Sequence, residues 1–135
     1  FAPNLPFGFH KELNKIATSS IDVSDGLLID LKRLLNSKKK GFIIDAALIP
    51  KSIYLKKFIN LNNIYNNNHL FNGDDYQILF TSKKKYRSII SKKALKWNQK
   101  ITRIGIITSN KGNYIKYKDK LKKIINYQGY IHNFV

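Results

Sequence analysis

The segment from Ala17 to Leu35 constrains the fold more than any other part of the chain. Residues 17–23 (ATSSIDV) are small and β-branched, as a strand prefers. Ser24-Asp25-Gly26 breaks the extended pattern, and Leu27, Leu28, Leu31, Leu34 and Leu35 then recur at helical spacing. The sequence therefore predicts a strand, a tight turn and an amphipathic helix in direct succession. Ser24 is a good cap residue for that helix. Asp25 suits its first turn, where a carboxylate opposes the positive helix end.

The remaining segments alternate in kind. Residues 1–9 read as an irregular lead-in, and His10 to Lys15 as a short helix. Gly41 to Ile49 (GFIIDAALI) reads as an apolar strand or buried segment closed by Pro50. Lys51 to Asn60 suits a helix, followed by asparagine-rich residues 61–68. A glycine turn at Asn72 to Tyr76 feeds a strand, Gln77 to Thr81, and Ser82 to Leu95 suits a helix with Tyr86, Ile89 and Ile90 inward. Ile101 to Thr108 (ITRIGIIT) reads as a strand, with Gly105 marking a bulge or a close approach. Asn113 to Tyr117 and Leu121 to Tyr127 suit a hairpin around Lys118-Asp119-Lys120. Mixed helices and strands, with no internal repeat and no clear linker, point to one α+β or α/β layered domain over residues 1–135.

Composition removes several chemistries. The chain has no cysteine, which excludes disulfides, thiolate metal sites and cysteine nucleophiles together. Three histidines, His10, His69 and His132, do not make a His-rich metal cage. No apolar run approaches the roughly 18–20 residues of a membrane span, and no segment reads as a signal peptide. Methionine is absent, so we read the sequence as a piece of a longer protein.

The net charge of +17 reads first as that of a polyanion binder. Composition favours a second reading. Lys, Ile and Asn number 22, 20 and 15, and all three have A/T-rich codons. Only three residues are Arg, the usual reader of phosphate and guanine edges. Against this lysine drift the eight acids stand out, and five of them cluster, at Asp22, Asp25 and Asp30 and at Asp74 and Asp75. A cation site or a proton-handling site would account for such clusters.

Three segments could carry chemistry. In IDVSDGLL (Ile21 to Leu28) a helix start offers free N–H groups to a phosphate, with Asp22 and Asp25 three residues apart. Carboxylates beside a phosphate make sense chiefly with Mg²⁺ between them. A capped helix needing no ligand fits the same residues. Asp74 and Asp75 in a glycine turn could bind a cation or a polar substrate group, or could simply close a loop on themselves. Tyr127, Tyr130, His132 and Phe134 could stack on a flat heterocycle or pack a terminal segment. No P-loop, nucleophile elbow or His-Glu-x-x-His motif is present.

Taken in order, ATSSIDVSDGLLIDL (Ala17 to Leu31), GFIIDAALIP (Gly41 to Pro50), NGDDYQILFT (Asn72 to Thr81), ITRIGIIT (Ile101 to Thr108) and Gly129-Tyr130 resemble the C-terminal half of the thiamine-monophosphate kinase family. That family belongs to the aminoimidazole-ribonucleotide synthetase-like superfamily, whose members place ATP between an N-terminal and a C-terminal domain. The resemblance implies an α+β fold of α/β/α layers with a mixed sheet. It also implies Mg²⁺-dependent transfer of the γ-phosphate of ATP to thiamine monophosphate, giving thiamine diphosphate. By the same resemblance Asp22 and Asp25 bind Mg²⁺, Ser24 contacts ATP, and Asp74 and Tyr130 contact the thiamine substrate.

One departure is Asn72-Gly73 where the family has two glycines; Asn tolerates the left-handed conformation that such a turn uses. The resemblance also implies a cytoplasmic homodimer whose N-terminal half lies outside this chain. That half supplies further Mg²⁺ ligands, nucleotide contacts and the main dimer surface, so the fragment alone is expected to be inactive. The alternatives are another ATP-using synthetase of the same superfamily and a basic nucleic-acid-binding module. The latter predicts a lysine stripe and steep salt dependence, and no RNA-recognition, zinc-finger or KH signature accompanies it.

Overall fold

In the computed structural model, which describes residues 9–36, 39–53, 55–57 and 77–125, six strands, three helices and a further helical stretch at residues 53 and 55–57 follow one another along the described chain. Helix α1 (Phe9–Ile16) leads directly into β1 (Ala17–Val23). Helix α2 (Leu27–Leu35) and β2 (Gly41–Asp45) follow, then β3 (Gln77–Ser82) and α3 (Arg87–Lys96). Strands β4 (Gly105–Thr108), β5 (Asn113–Tyr117) and β6 (Lys120–Lys123) complete the order. Residues 53 and 55–57 are helical, within the helix expected from Lys51. The chain divides into two compact units, residues 1–20 with 80–101 and residues 21–79 with 102–135.

In the first unit α1 buries Phe9, Leu13 and Ile16, which lie on one helical face. Glu12 of α1 forms an ion pair with Lys93 of α3. Strands β1 and β3 make a two-stranded sheet, of which residues 17–20 and 80–82 belong to this unit. The hydroxyls of Thr18 and Thr81 meet at 2.8 Å across it, and Ser82 Oγ donates to the Ile16 carbonyl at 2.6 Å. That last bond holds Ser82 in the strand, so the helix expected from Ser82 starts later. A 3-10 turn at Lys84–Tyr86 intervenes, and α3 begins at Arg87. The apolar face expected for α3 is only partly covered: none of its residues is fully buried, and Ile89 is exposed.

The second unit is built on a four-stranded sheet in the order β4-β2-β5-β6. Strand β2 is antiparallel to β4 and parallel to β5, and β5 is antiparallel to β6, so the sheet is mixed. Gly105 sits opposite Ile44, and a Cβ there would lie 2.3 Å from the Ile43 carbonyl oxygen. The close approach read from its place in the sequence is therefore real. The β5–β6 hairpin closes through Lys118-Asp119, with Lys118 at a positive φ of 49°. Edge strand β6 is exposed throughout and carries Lys120, Lys122 and Lys123, charges that oppose pairing with another strand.

Leu28, Leu31 and Leu35 of α2 pack with Phe42, Ile44, Ala46 and Ile115 to form the core of this unit. Phe42 is fully buried and Leu28 is 1% exposed. Burying one such side chain stabilises by about 1.5–3 kcal/mol. The leucine stripe thus fixes α2 against β2 and β5, and with it the turn that precedes the helix. Among the described residues no helix is long and apolar enough to cross a membrane.

Candidate functional site at the head of the second helix

The turn between β1 and α2 lies wholly in the second unit. Val23 ends β1 and is buried, which anchors the entry to the turn. Gly26 ends the turn with φ 125° and ψ 144°, a conformation essentially closed to other residues. Its carbonyl accepts the first helical bond, from the Asp30 amide at 3.0 Å. Gly26 is therefore the cap position, and no side chain caps the helix. This corrects two expectations. Ser24 does not cap α2, and Asp25 precedes the helix instead of lying in its first turn. The physical reason is the extra residue that Gly26 permits between turn and helix.

A side chain from inside the helix instead ties down the turn that precedes it. Asp30 is 1% exposed. Its Oδ2 accepts the backbone N–H groups of Ser24 and Asp25, each at 3.0 Å. Its Oδ1 accepts from Arg33 Nη1 at 3.0 Å. The same Arg33 nitrogen also donates to Asp25 Oδ2. The Asp25 hydrogen bond and charge, together with those of Asp30, hold the Arg33 guanidinium even further above neutral pH than usual. A buried carboxylate is costly unless paired and hydrogen-bonded, and Asp30 has both compensations.

The structure brings Asp25, Asp30 and Arg33 together around the Ser24-Asp25 amides. Asp22 stands exposed on β1, three residues before Asp25. Asp74, with its neighbour Asp75, and Tyr130 lie outside the described residues. Sequence reading grouped Asp30 with Asp22 and Asp25 as an acid cluster but gave it no part in holding the turn, and gave Arg33 no role. A signal for Asp30 was available: it stands between Leu27 and Leu34 at helical spacing, so an acid there faces the core and must find partners.

Because Asp30 engages the amides of Ser24 and Asp25, side chains are what these two residues offer a ligand. Mg²⁺ needs one or two carboxylates, with phosphate oxygens and water completing its shell. Asp22 and Asp25 fit that donor chemistry. Among the described residues no group of three or more His, Asp or Glu side chains gathers as a complete protein cage for a metal. Lys32, Lys39, Lys40 and Lys111 line a cavity of about 320 Å³ together with Leu35, Asn36 and Phe42. It lies at the other end of α2 and shares no residue with the turn; lysines suit the helix's terminal carbonyls there.

A comparison with family models finds no match. Curated proteins do match. The chain is 36% identical over 124 residues to the thiamine-monophosphate kinase of Buchnera aphidicola subsp. Acyrthosiphon pisum, covering 89% of this chain and 37% of that protein. It is 31% identical over 119 residues to that of Nitrosopumilus maritimus, covering 87% of this chain and 36% of that protein. Solved structures agree. The thiamine-monophosphate kinase of Stenotrophomonas maltophilia K279a superposes with a TM-score of 0.66 at 29% identity, over 76% of this chain and 32% of that one. AaThiL complexed with AMPPCP and TMP gives 0.62 at 28% identity, over 87% of this chain and 37% of that one.

The mixed sheet with α2 laid on it, and these structural neighbours, place the chain in the aminoimidazole-ribonucleotide synthetase-like fold. Within that class the chain is a homologue of the thiamine-monophosphate kinases. It spans about 37% of the length of the curated relatives it matches.

Proposed function

We propose that this chain is the C-terminal part of a kinase that transfers the γ-phosphoryl group of ATP to thiamine monophosphate, giving thiamine diphosphate and ADP. The observation that carries the reading is the turn fixed by Asp30, which sets Ser24 and Asp25 at the head of α2 before any ligand arrives. The likeness to thiamine-monophosphate kinases over 89% of the chain supplies the substrate. A related structure complexed with AMPPCP and TMP is consistent with both ligands.

Phosphoryl transfer between two polyanions asks chiefly for alignment and charge neutralisation. Asp22 and Asp25 are the residues that would hold Mg²⁺ here. When bound, the ion offsets phosphate charge and stabilises charge that develops during transfer. The Ser24 hydroxyl donates to a phosphate oxygen of ATP. Asp74 and Tyr130 contact the thiamine moiety, Asp74 through its carboxylate and Tyr130 by stacking. Asp30 keeps the Ser24-Asp25 backbone from rearranging, so little ordering entropy is lost when substrate binds.

The active protein on this reading is a cytoplasmic homodimer. An N-terminal half supplies further metal and nucleotide contacts, and the isolated chain is inactive. The test is formation of thiamine diphosphate from ATP, Mg²⁺ and thiamine monophosphate by the full-length protein. Product formation is expected. A folded full-length protein that makes none contradicts the assignment.

A further inference from the structure

We propose that Arg33 is a tethered counter-cation for Asp25, held by the buried Asp30, which a divalent cation displaces in order to bind Asp25. The inference rests on the metal-binding reading of Asp25.

The three side chains differ in a way that suits exchange. Asp30 is 1% exposed and its carboxylate keeps the Ser24 and Asp25 amides whatever Arg33 does. Asp25 is 19% exposed, so its carboxylate reaches the surface. Arg33 is 51% exposed, with half its side chain already in water. One nitrogen, Nη1, serves both carboxylates. Arg33 can therefore release Asp25 and keep Asp30, without leaving a buried charge unpaired. While it is in place, it occupies one lone pair of Asp25 Oδ2 and sets its positive charge where a cation would sit. The carboxylate then stays oriented and neutralised without metal, and metal affinity is lowered by the strength of the ion pair it must replace.

The test is Mn²⁺ binding to the full-length protein, without nucleotide, followed by calorimetry and by the spin-resonance signal of free Mn²⁺. The relevant component is the binding that Asp25→Asn removes. Arg33→Met is expected to tighten it roughly two- to fivefold, the range for loss of a largely exposed ion pair. Arg33→Lys keeps the charge on a flexible stem and is expected to restore most of the parent affinity. Thermal melts test that each variant folds; Arg33→Met leaves Asp30 its two amide donors but no counter-charge, so a lower melting temperature is expected for it than for Arg33→Lys. Unchanged or weaker binding in Arg33→Met overturns the role of Arg33 and leaves the metal reading of Asp25 standing. Tightening by Arg33→Lys equal to that of Arg33→Met also overturns it. If Asp25→Asn binds Mn²⁺ as the parent does, the metal reading fails, and this proposal with it.

Discussion

Asp30 and Arg33 lie one turn apart on α2 and their side chains meet at 3.0 Å, the carboxylate almost fully buried and the guanidinium half in water. This pair links the leucine-packed face of the helix to the turn before it. Removing the carboxylate should therefore be felt at Ser24 and Asp25, which are six and five residues away in sequence.

Asp30→Ala is expected to destabilise the domain by about 3–5 kcal/mol, because two amides and Arg33 lose a buried partner. Asp30→Asn keeps an acceptor and should cost less, about 1–3 kcal/mol. Urea unfolding of both variants measures the difference. Losses below about 1 kcal/mol in both would contradict the central place of Asp30 in the turn.

Gly26→Ala tests the backbone half of the same device. At φ 125° and ψ 144° a Cβ is strained whatever space surrounds it. The expected cost is about 1–3 kcal/mol by urea unfolding. A neutral substitution would mean that the turn relaxes into another conformation.

The Glu12–Lys93 pair predicts a pH effect. A hydrogen bond from Lys93 holds the Glu12 carboxyl below its usual range; partial burial opposes this, and the charges of Lys15, Lys93 and Lys96 assist it. The folded value lies below the unfolded one. The stabilisation is thus present above the ordinary glutamate range, about pH 4.3, and is lost as pH falls through the lower folded value. Lys93→Met should flatten this part of the acid-unfolding curve. Identical curves for parent and variant would contradict the pairing.

Tyr117 offers a stabilising change. Its hydroxyl is buried and has no hydrogen-bond partner among the described residues, and burial raises the phenol's pKa. The folded value lies above the unfolded one, so stability is full below about pH 10 and is lost as pH rises beyond it. Tyr117→Phe should stabilise by about 1 kcal/mol at neutral pH and remove the alkaline loss. Thermal melts at neutral and alkaline pH measure both effects, and destabilisation at neutral pH would reveal a partner for the hydroxyl.

Much of this architecture was legible because it rests on local chemistry. The small and β-branched residues 17–23, the Ser24-Asp25-Gly26 break and the leucine stripe gave β1, the turn and α2 in order, although the helix starts at Leu27, later than Ser24 and Asp25 suggested. Gly105 was legible because a glycine inside an apolar strand signals crowding, and the Ile43 carbonyl supplies it. The late start of α3 was hidden because it depends on Ser82 bonding to Ile16, sixty-six residues away. Strand β4 was read too long, since Ile101 and Ile104 extend its apolar pattern yet residues 101–104 lie outside the strand. The turn's real support escaped notice for a similar reason. Ser24 has the composition of a cap, but no side chain caps the helix; the leucine spacing shows that Asp30 faces inward, and only the fold shows that its partners there are the Ser24 and Asp25 amides.

The most direct measurement is thiamine diphosphate formation by the full-length protein and its Asp25→Asn variant across a range of Mg²⁺ concentrations. The account predicts that the parent makes product. It predicts a loss of at least about tenfold in the variant, equivalent to about 1.4 kcal/mol of transition-state stabilisation, and a higher Mg²⁺ requirement. A folded variant with the parent's rate and the parent's Mg²⁺ dependence would contradict the role of Asp25 and, with it, the reading of the Ser24-Asp25 turn as the metal–nucleotide site.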